Sequence, residues 1–310
     1  MAKLNLKLIR NKESLLSKKK HSGTKSNYDS TINNFENFCM EKFGKADIID
    51  DLKKNTDEEI LDVIQAWINY NDSLNPNTII NMFSRMKKYL HHRGIKLHPQ
   101  DIKEELEFRH NITEELHPLT TKEIQRIINE MRHRHRVQFI CQSSSLMRIG
   151  EIVQIRKRHL ILDHNNILVK LPATITKFSK ARTTFFSKEA SVLLRPMLKK
   201  LDDDDLIFGS NEDVHLAETN SEQILTRVLE KIGLNERYES NNRYKINTHS
   251  FRAFGITALS RHDPNLAKKI AGQKIYLGEY DRMNDEDKLA VYEKYESDLI
   301  IDDTAKLKAE

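Results

Sequence analysis

From residue 27 the apolar residues recur at steps of three and four. Tyr28, Ile32, Phe35, Phe38, Cys39 and Met40 fall on one stripe of a helix over 27–42, which Gly44 ends. The same spacing predicts a helix over 57–70 (Ile60, Val63, Ile64, Trp67, Ile68), opening on acidic residues that suit a helix N-terminus. Asn75-Pro76-Asn77 makes a turn and an N-cap for a third helix over 77–92, with Ile79, Ile80, Phe83, Met86 and Leu90 inward. Gly94 ends that helix, and Pro99, whose ring presets a helical φ, begins a short fourth over 99–108. Residues 26–110 therefore read as one compact helical unit, with Trp67 in its core.

Around Pro118 the periodicity breaks, and 111–119 reads as a linker. Thr120 and Glu123 have the spacing of a capping box and open a helix over 121–132, followed by helices over 136–146 and 149–156. The texture then changes. The β-rich runs 167–171 and 182–187 flank a Lys/Thr/Ser-rich turn and predict a small antiparallel hairpin. Helices resume over 188–200, 219–232, 248–261, 263–271 and 284–296. The fold class is mainly α (α+β): an N-terminal helical domain and a mixed C-terminal domain, 120–310, with a small antiparallel sheet.

Composition narrows the function classes. A chain of 310 residues with 38% hydrophobic positions spread along its length supports two folded domains. Two cysteines, Cys39 and Cys141, are too few for a disulfide framework or a Cys-rich metal site. No apolar run reaches membrane-span length, and the basic N-terminus lacks a signal peptide's apolar core, so a soluble cytoplasmic protein is expected. The net charge of +5 is unevenly placed. Residues 1–25 carry +7 and read as a flexible basic arm, 148–182 carry +6, and 281–310 carry −5. Two basic blocks favour a polyanionic partner. His91, His92, His133 and His135 lack metal-ligand spacing, and Asp202 to Asp205 reads as a solvated turn.

The candidate chemistry lies in the second half. His249 and Arg252 stand three apart, on one helix face. Arg148 interrupts the apolar stretch Leu146 to Ile152, where an arginine needs an anion; an ion pair with Glu151 is its simplest account. Lys177 sits in the hairpin turn, where ordinary solvation would explain it. In order, Arg, hairpin Lys, His-x-x-Arg and then Tyr resemble the catalytic half of the tyrosine recombinases, or phage-type integrases, over roughly 118–296. Leu146, Arg148 and Glu151 match Leu-x-Arg-x-x-Glu; His249 and Arg252 match His-x-x-Arg. The N-terminal helical unit, 26–110, resembles that family's core-binding domain. The tail from Tyr276 to Arg282, followed by a helix with Tyr292, is most similar to archaeal members, and so points to an archaeal virus or provirus.

The resemblance implies site-specific recombination or integration on double-stranded DNA, with two domains clamped around the duplex, no cofactor, and protomers assembled as dimers to tetramers. A tyrosine hydroxyl attacks the scissile phosphate and leaves a 3′-phosphotyrosine. Arg148 and Arg252 would meet the charge on the non-bridging oxygens, Lys177 would protonate the leaving 5′-oxygen, and His249 would assist, with Glu151 behind Arg148. Lys180 competes with Lys177. One departure stands out: where the family usually has Gly-His, sometimes Trp, this chain has Gly272-Gln273. A glutamine amide donates a hydrogen bond but carries no proton. Tyr280, seven residues after Gln273, is the expected nucleophile, with Tyr292 the alternative and Tyr276 beside them. For Tyr292, packing on Leu289 and Val291 is the simpler account. Residues 284–310, including Leu289, Val291, Leu299, Ile300 and Ile301, would suit docking on a neighbouring protomer or packing on their own chain. Two other readings stay open, a type IB topoisomerase and a catalytically impaired DNA-binding relative.

Overall fold

The computed structural model describes residues 10–19, 22–209, 212–275 and 282–301. The chain divides into two compact units, Met1–Thr113 and Glu114–Glu310. In the first, helices α1 (Lys12–Leu16), α2 (Ser22–Phe43), α3 (Ile49–Leu52), α4 (Asp57–Tyr70), α5 (Pro76–Arg93) and α6 (Pro99–Glu105) enclose one core. Local chemistry sets the boundaries. Thr56 and Glu59 exchange backbone hydrogen bonds ahead of α4. Asn75 caps α5 with Pro76 at its first position, and Gly94 ends it at φ 106°. Trp67 stands edge-on to Phe35 at 5.6 Å, and its Nε1 donates to Asn34 Oδ1 at 2.7 Å.

Three expectations change in this unit. Part of the presumed flexible arm is the helix α1, because Asn11 caps it and Leu15 and Leu16 are buried in the core. Met40 and Ile80 face solvent, since Cys39 and Ile79 take the inward positions of their turns. The short α6 ends at Glu105, three residues earlier than the pattern predicts.

In the second unit, α7 (Thr121–Asn129), α8 (His133–Ser145) and α9 (Ile149–Ile152) precede a three-stranded sheet, β1 (Leu160–Ile161), β2 (Leu168–Leu171) and β3 (Arg182–Phe185). Then follow α10 (Lys188–Leu198), α11 (Val214–Ile232), α12 (Thr248–Ser260), α13 (Pro264–Ala271) and α14 (Asp285–Tyr295). The sheet is antiparallel in the order β1-β2-β3, with Leu168 opposite Phe185 and Leu171 opposite Arg182. Helix α9 is half its expected length because Ile155 is drawn into the core and its carbonyl accepts from Ile207 N at 3.0 Å. Helix α11 starts five residues early because Asp213 caps it through His215 N and Leu216 N.

From Val137 to Ser145 every residue of α8 is buried, polar ones included. Gln138 therefore donates to Ser221 Oγ at 2.9 Å and Gln142 to the Thr248 carbonyl at 3.0 Å. Helix α12 crosses α8 so closely that a Cβ on Gly255 would lie 2.0 Å from the Ser143 carbonyl. Of the segment considered for docking on a neighbour, Leu289, Leu299 and Ile301 are buried within their own unit. Glu189 Oε2 accepts from Ile301 N at 2.8 Å, and Glu296 Oε2 accepts from Asn166 Nδ2 at 2.6 Å. No helix among the described residues is long and apolar enough to cross a membrane.

Candidate active site

The site is assembled at the C-terminal ends of two helices. Carbonyls in the last turn of α8 have no partner within the helix, and side chains from three other elements supply them. Tyr292 Oη donates to the Ser144 carbonyl at 2.9 Å, Thr184 Oγ1 to Ser145 at 2.6 Å, and the Arg252 guanidinium to Leu146. Leu146 adopts φ 57°, a conformation costly for a branched side chain, and its full burial holds it there. The chain thus leaves α8 abruptly, and Arg148 emerges two residues later as the N-cap of α9.

Helix α13 ends in the same manner. Gly272 takes φ 67°, and the Ile270 and Ala271 carbonyls accept from Arg182 Nε at 2.8 Å and an Arg252 N–H at 2.7 Å. Arg252, 1% exposed, therefore bridges the negative ends of two helices. Its pKa is lowered to about 10, chiefly by burial and then by Arg148, so it stays charged at neutral pH.

Glu151, 2% exposed, is the shared counter-ion. Its carboxylate accepts from Arg148 N at 2.8 Å, from the Arg148 guanidinium at 3.2 Å, and from two N–H groups of Arg182 at 3.0 and 2.6 Å. Arg252 approaches to 3.9 Å. Burial alone would raise the carboxyl pKa, but the Arg182 hydrogen bonds and charge outweigh it and hold it below its ordinary value. Three guanidiniums share one carboxylate, which leaves an excess of positive charge around Arg148. The Arg148–Glu151 pair anticipated from sequence is present, yet Glu151 is bound more fully by Arg182.

His249 lies in the first turn of α12, whose Asn247 cap accepts from His249 N at 2.9 Å. Loss of hydration, then the charges of Arg252 and Arg148, push its pKa down. Lys177 is exposed in the β2–β3 turn, which is clipped shut by Thr176 Oγ1, acceptor from Lys180 N at 3.0 Å and donor to Lys180 O at 2.9 Å. Lys180 serves the turn through its backbone. Phe178, 61% exposed, is near both cations, with Lys177 Nζ 5.9 Å and Arg148 Cζ 5.7 Å from its ring centre. Gln273 follows Gly272 directly; its N–H donates to the Lys268 carbonyl at 2.8 Å and its side chain faces solvent.

The structure thus brings Arg148, Glu151, His249, Arg252 and the hairpin into one neighbourhood. Tyr292 braces the end of α8 from inside the core: it is wholly buried against Phe185, and burial pushes its hydroxyl pKa well up. The alternative nucleophile is a core residue in this structure. Tyr276 and Tyr280, with most of the tail from Tyr276 to Arg282, lie outside the described residues. Arg182 and Phe178 escaped the reading of the sequence, though both sit in the turn region that drew notice for Lys177. Within the second unit a surface cleft of about 370 Å³ over Gln154, Arg156 and His159 is lined by none of the residues of this cluster.

Compared with curated proteins, the chain matches none. Among solved structures it is similar to the Tn1549 transposon integrase in complex with transposon right end DNA, at 16% identity and TM-score 0.61, covering 91% of this chain and 97% of that one. It is similar to a lambda integrase dimer bound to a COC' core site, at 14% identity and TM-score 0.58, covering 88% and 96%. The XerH site-specific recombinase bound to difH substrate follows at 18% identity and TM-score 0.55, covering 84% and 76%. At these identities the likeness shows the fold. Residues 6–93 match the phage integrase SAM-like domain. Residues 117–272, half of the chain and the stretch that carries Arg148, Lys177, His249 and Arg252, match the family model itself, and the chain belongs to the phage integrase family.

Proposed function

We propose that this chain is a site-specific DNA recombinase that cuts and rejoins duplex DNA through a covalent tyrosine intermediate. The observation that carries the reading is the cluster of Arg148, Arg182 and Arg252 around one buried carboxylate, with His249 near enough to feel Arg252 and Arg148 and an excess of guanidinium charge beside a lysine-bearing hairpin. Such a cluster suits an anion whose charge grows in the transition state. Tyr280 Oη attacks the phosphorus of a scissile phosphodiester and passes its proton to the neutral ring of His249. The bond to the 5′-oxygen breaks, and Lys177 delivers a proton to that oxygen. The products are a 3′-phosphotyrosine and a free 5′-hydroxyl, and rejoining reverses the step. Arg148 and Arg252 hold the non-bridging oxygens. Arg148 is the accessible one, whereas Arg252 donates to two carbonyls and acts from behind with its remaining N–H groups. Gln273 adds a neutral donor where a proton carrier is usual, so proton movement falls on Lys177 and His249.

Double-stranded DNA is the partner in this reading, with protomers gathering on it as dimers and tetramers. The similar lambda integrase structures, a dimer on a core site and a tetramer on a Holliday junction, support that assembly. The test is covalent capture. The full chain is incubated with a pool of randomised duplexes, each nicked so that cleavage releases a short strand and prevents rejoining. The reading predicts protein–DNA adducts that survive SDS and converge on one sequence. Sequence-selective binding without any adduct points instead to an impaired DNA-binding relative.

A further inference from the structure

We infer that Arg182 is a positioning residue that keeps Arg148 available to the phosphate by occupying Glu151. The inference rests on the recombinase reading of the site. Arg182 is the first residue of β3, at the exit of the turn that carries Lys177 and Phe178. Its side chain is 9% exposed and uses three N–H groups at once. Two clasp the Glu151 carboxylate at 3.0 and 2.6 Å, and Nε donates to the Ile270 carbonyl at 2.8 Å. A Cβ on Gly272 would lie 3.0 Å from its Cδ, so the glycine before Gln273 is packed directly on it. One planar side chain therefore ties together the segments that present Arg148, Lys177 and Gln273.

The charge arithmetic makes this tie more than a brace. Glu151 has two oxygens, and Arg148 lies within 3.2 Å of one of them. A carboxylate freed from Arg182 would turn to Arg148 and form the bidentate pair that arginine and carboxylate favour. That pair would hold the Arg148 donors away from a phosphate. By taking both oxygens, Arg182 leaves Arg148 with only a side contact and the backbone N–H of residue 148 as its tether. Lysine cannot reproduce this, because a single ammonium does not span two oxygens and a carbonyl in a fixed fork. Arg182 touches no reacting atom in this account; it acts through Glu151 and the end of α13.

The test uses the full chain and a nicked duplex recovered by the covalent capture described above. Single-turnover adduct formation, duplex affinity and melting temperature are compared for the wild type, R182K, R182A, E151Q and the R182A/E151Q pair. The expected result for R182A is adduct formation slowed about 100-fold at saturating duplex, the scale of a small misplacement of a reacting group. Duplex affinity should change far less, and R182K should recover the rate only in part. The decisive arm is the double variant. Removing the Glu151 charge in the R182A background should restore the rate by about tenfold or more, because no carboxylate remains to hold Arg148. A purely structural role predicts no such recovery in samples equally folded. Should R182A lose its cooperative melting transition, R182K with and without E151Q carries the same comparison. An R182A rate equal to wild type, or no recovery in the double variant, overturns the inference while adducts from the wild type leave the recombinase reading intact. Absence of adducts from the wild type on every duplex overturns both.

Discussion

Replacing Tyr292 with Phe separates a core tyrosine from a catalytic one. Tyr292 is fully buried, its ring 5.3 Å from that of Phe185, and its only described partner is the Ser144 carbonyl at 2.9 Å. Ser144 lies in the last turn of α8, where no backbone N–H of the helix reaches its oxygen. Deleting the hydroxyl leaves ring packing intact and one buried carbonyl unpaired, a loss of about 1–2 kcal/mol. For a domain of this size that lowers the melting temperature by a few degrees. Tyr292→Ala also removes the ring and should cost about 3–5 kcal/mol. The assay pairs thermal unfolding with adduct yield on a nicked duplex, well below the transition. Tyr292→Phe should melt earlier and still form adduct at the wild-type level. A variant that melts with the wild type yet forms no adduct would refute this reasoning and make Tyr292 the nucleophile.

Further outcomes follow from the same geometry. Phe178→Ala should leave stability unchanged, because the ring is exposed, but slow single-turnover cleavage several-fold; each cation on the ring is worth about 0.5–1 kcal/mol, and an unchanged rate contradicts the shared-ring account. The depressed pKa of His249 keeps its ring neutral at pH 7, so the acid limb of the second-order cleavage rate should lie below the ordinary histidine value of 6.5 and disappear in His249→Gln. A limb above that value contradicts the assignment. The Glu151 carboxyl is held below its ordinary 4.5, so its contribution to stability is present above that pH and lost as pH falls through the folded value. Glu151→Gln should therefore flatten the acid side of a stability–pH curve, and a curve parallel to wild type below pH 4.5 counts against the cluster. Burial raises the Cys39 thiol to about 12 and Cys141 well above its usual value, so a thiol reagent should modify neither in the native protein and both after unfolding.

Much of the helical pattern was legible because amphipathic helices write their period into the chain. Helix α4 runs over 57–70 as the stripe from Ile60 to Ile68 predicts, and Asn75-Pro76 and Gly94 bracket α5 through chemistry that needs no tertiary context. The misses have tertiary causes. The two-residue strand β1 is too short to show a period, and exists because β2 offers it a partner. The basic arm concealed α1, since Leu15 and Leu16 are only two apolar positions among charges. In the candidate site, Arg148, His249 and Arg252 stood out through motif spacing, whereas Arg182 did not. Its role depends on where Glu151, Ile270 and Gly272 arrive in space, residues separated from it by 31, 88 and 90 positions. The position of Arg252 behind Arg148 was likewise unreadable, because spacing places two side chains on a face but does not say which one the rest of the fold covers.

The central claim, a tyrosine-linked DNA intermediate at this site, is tested most directly by peptide mapping of the trapped adduct. Wild-type protein captured on the selected nicked duplex is digested with nuclease and protease, and the residual nucleotide is located by mass. The account predicts a 3′-phosphonucleotide on the peptide containing Tyr280, and no adduct from Tyr280→Phe. A nucleotide on any other residue, or no adduct from the wild type on any duplex of the pool, contradicts it.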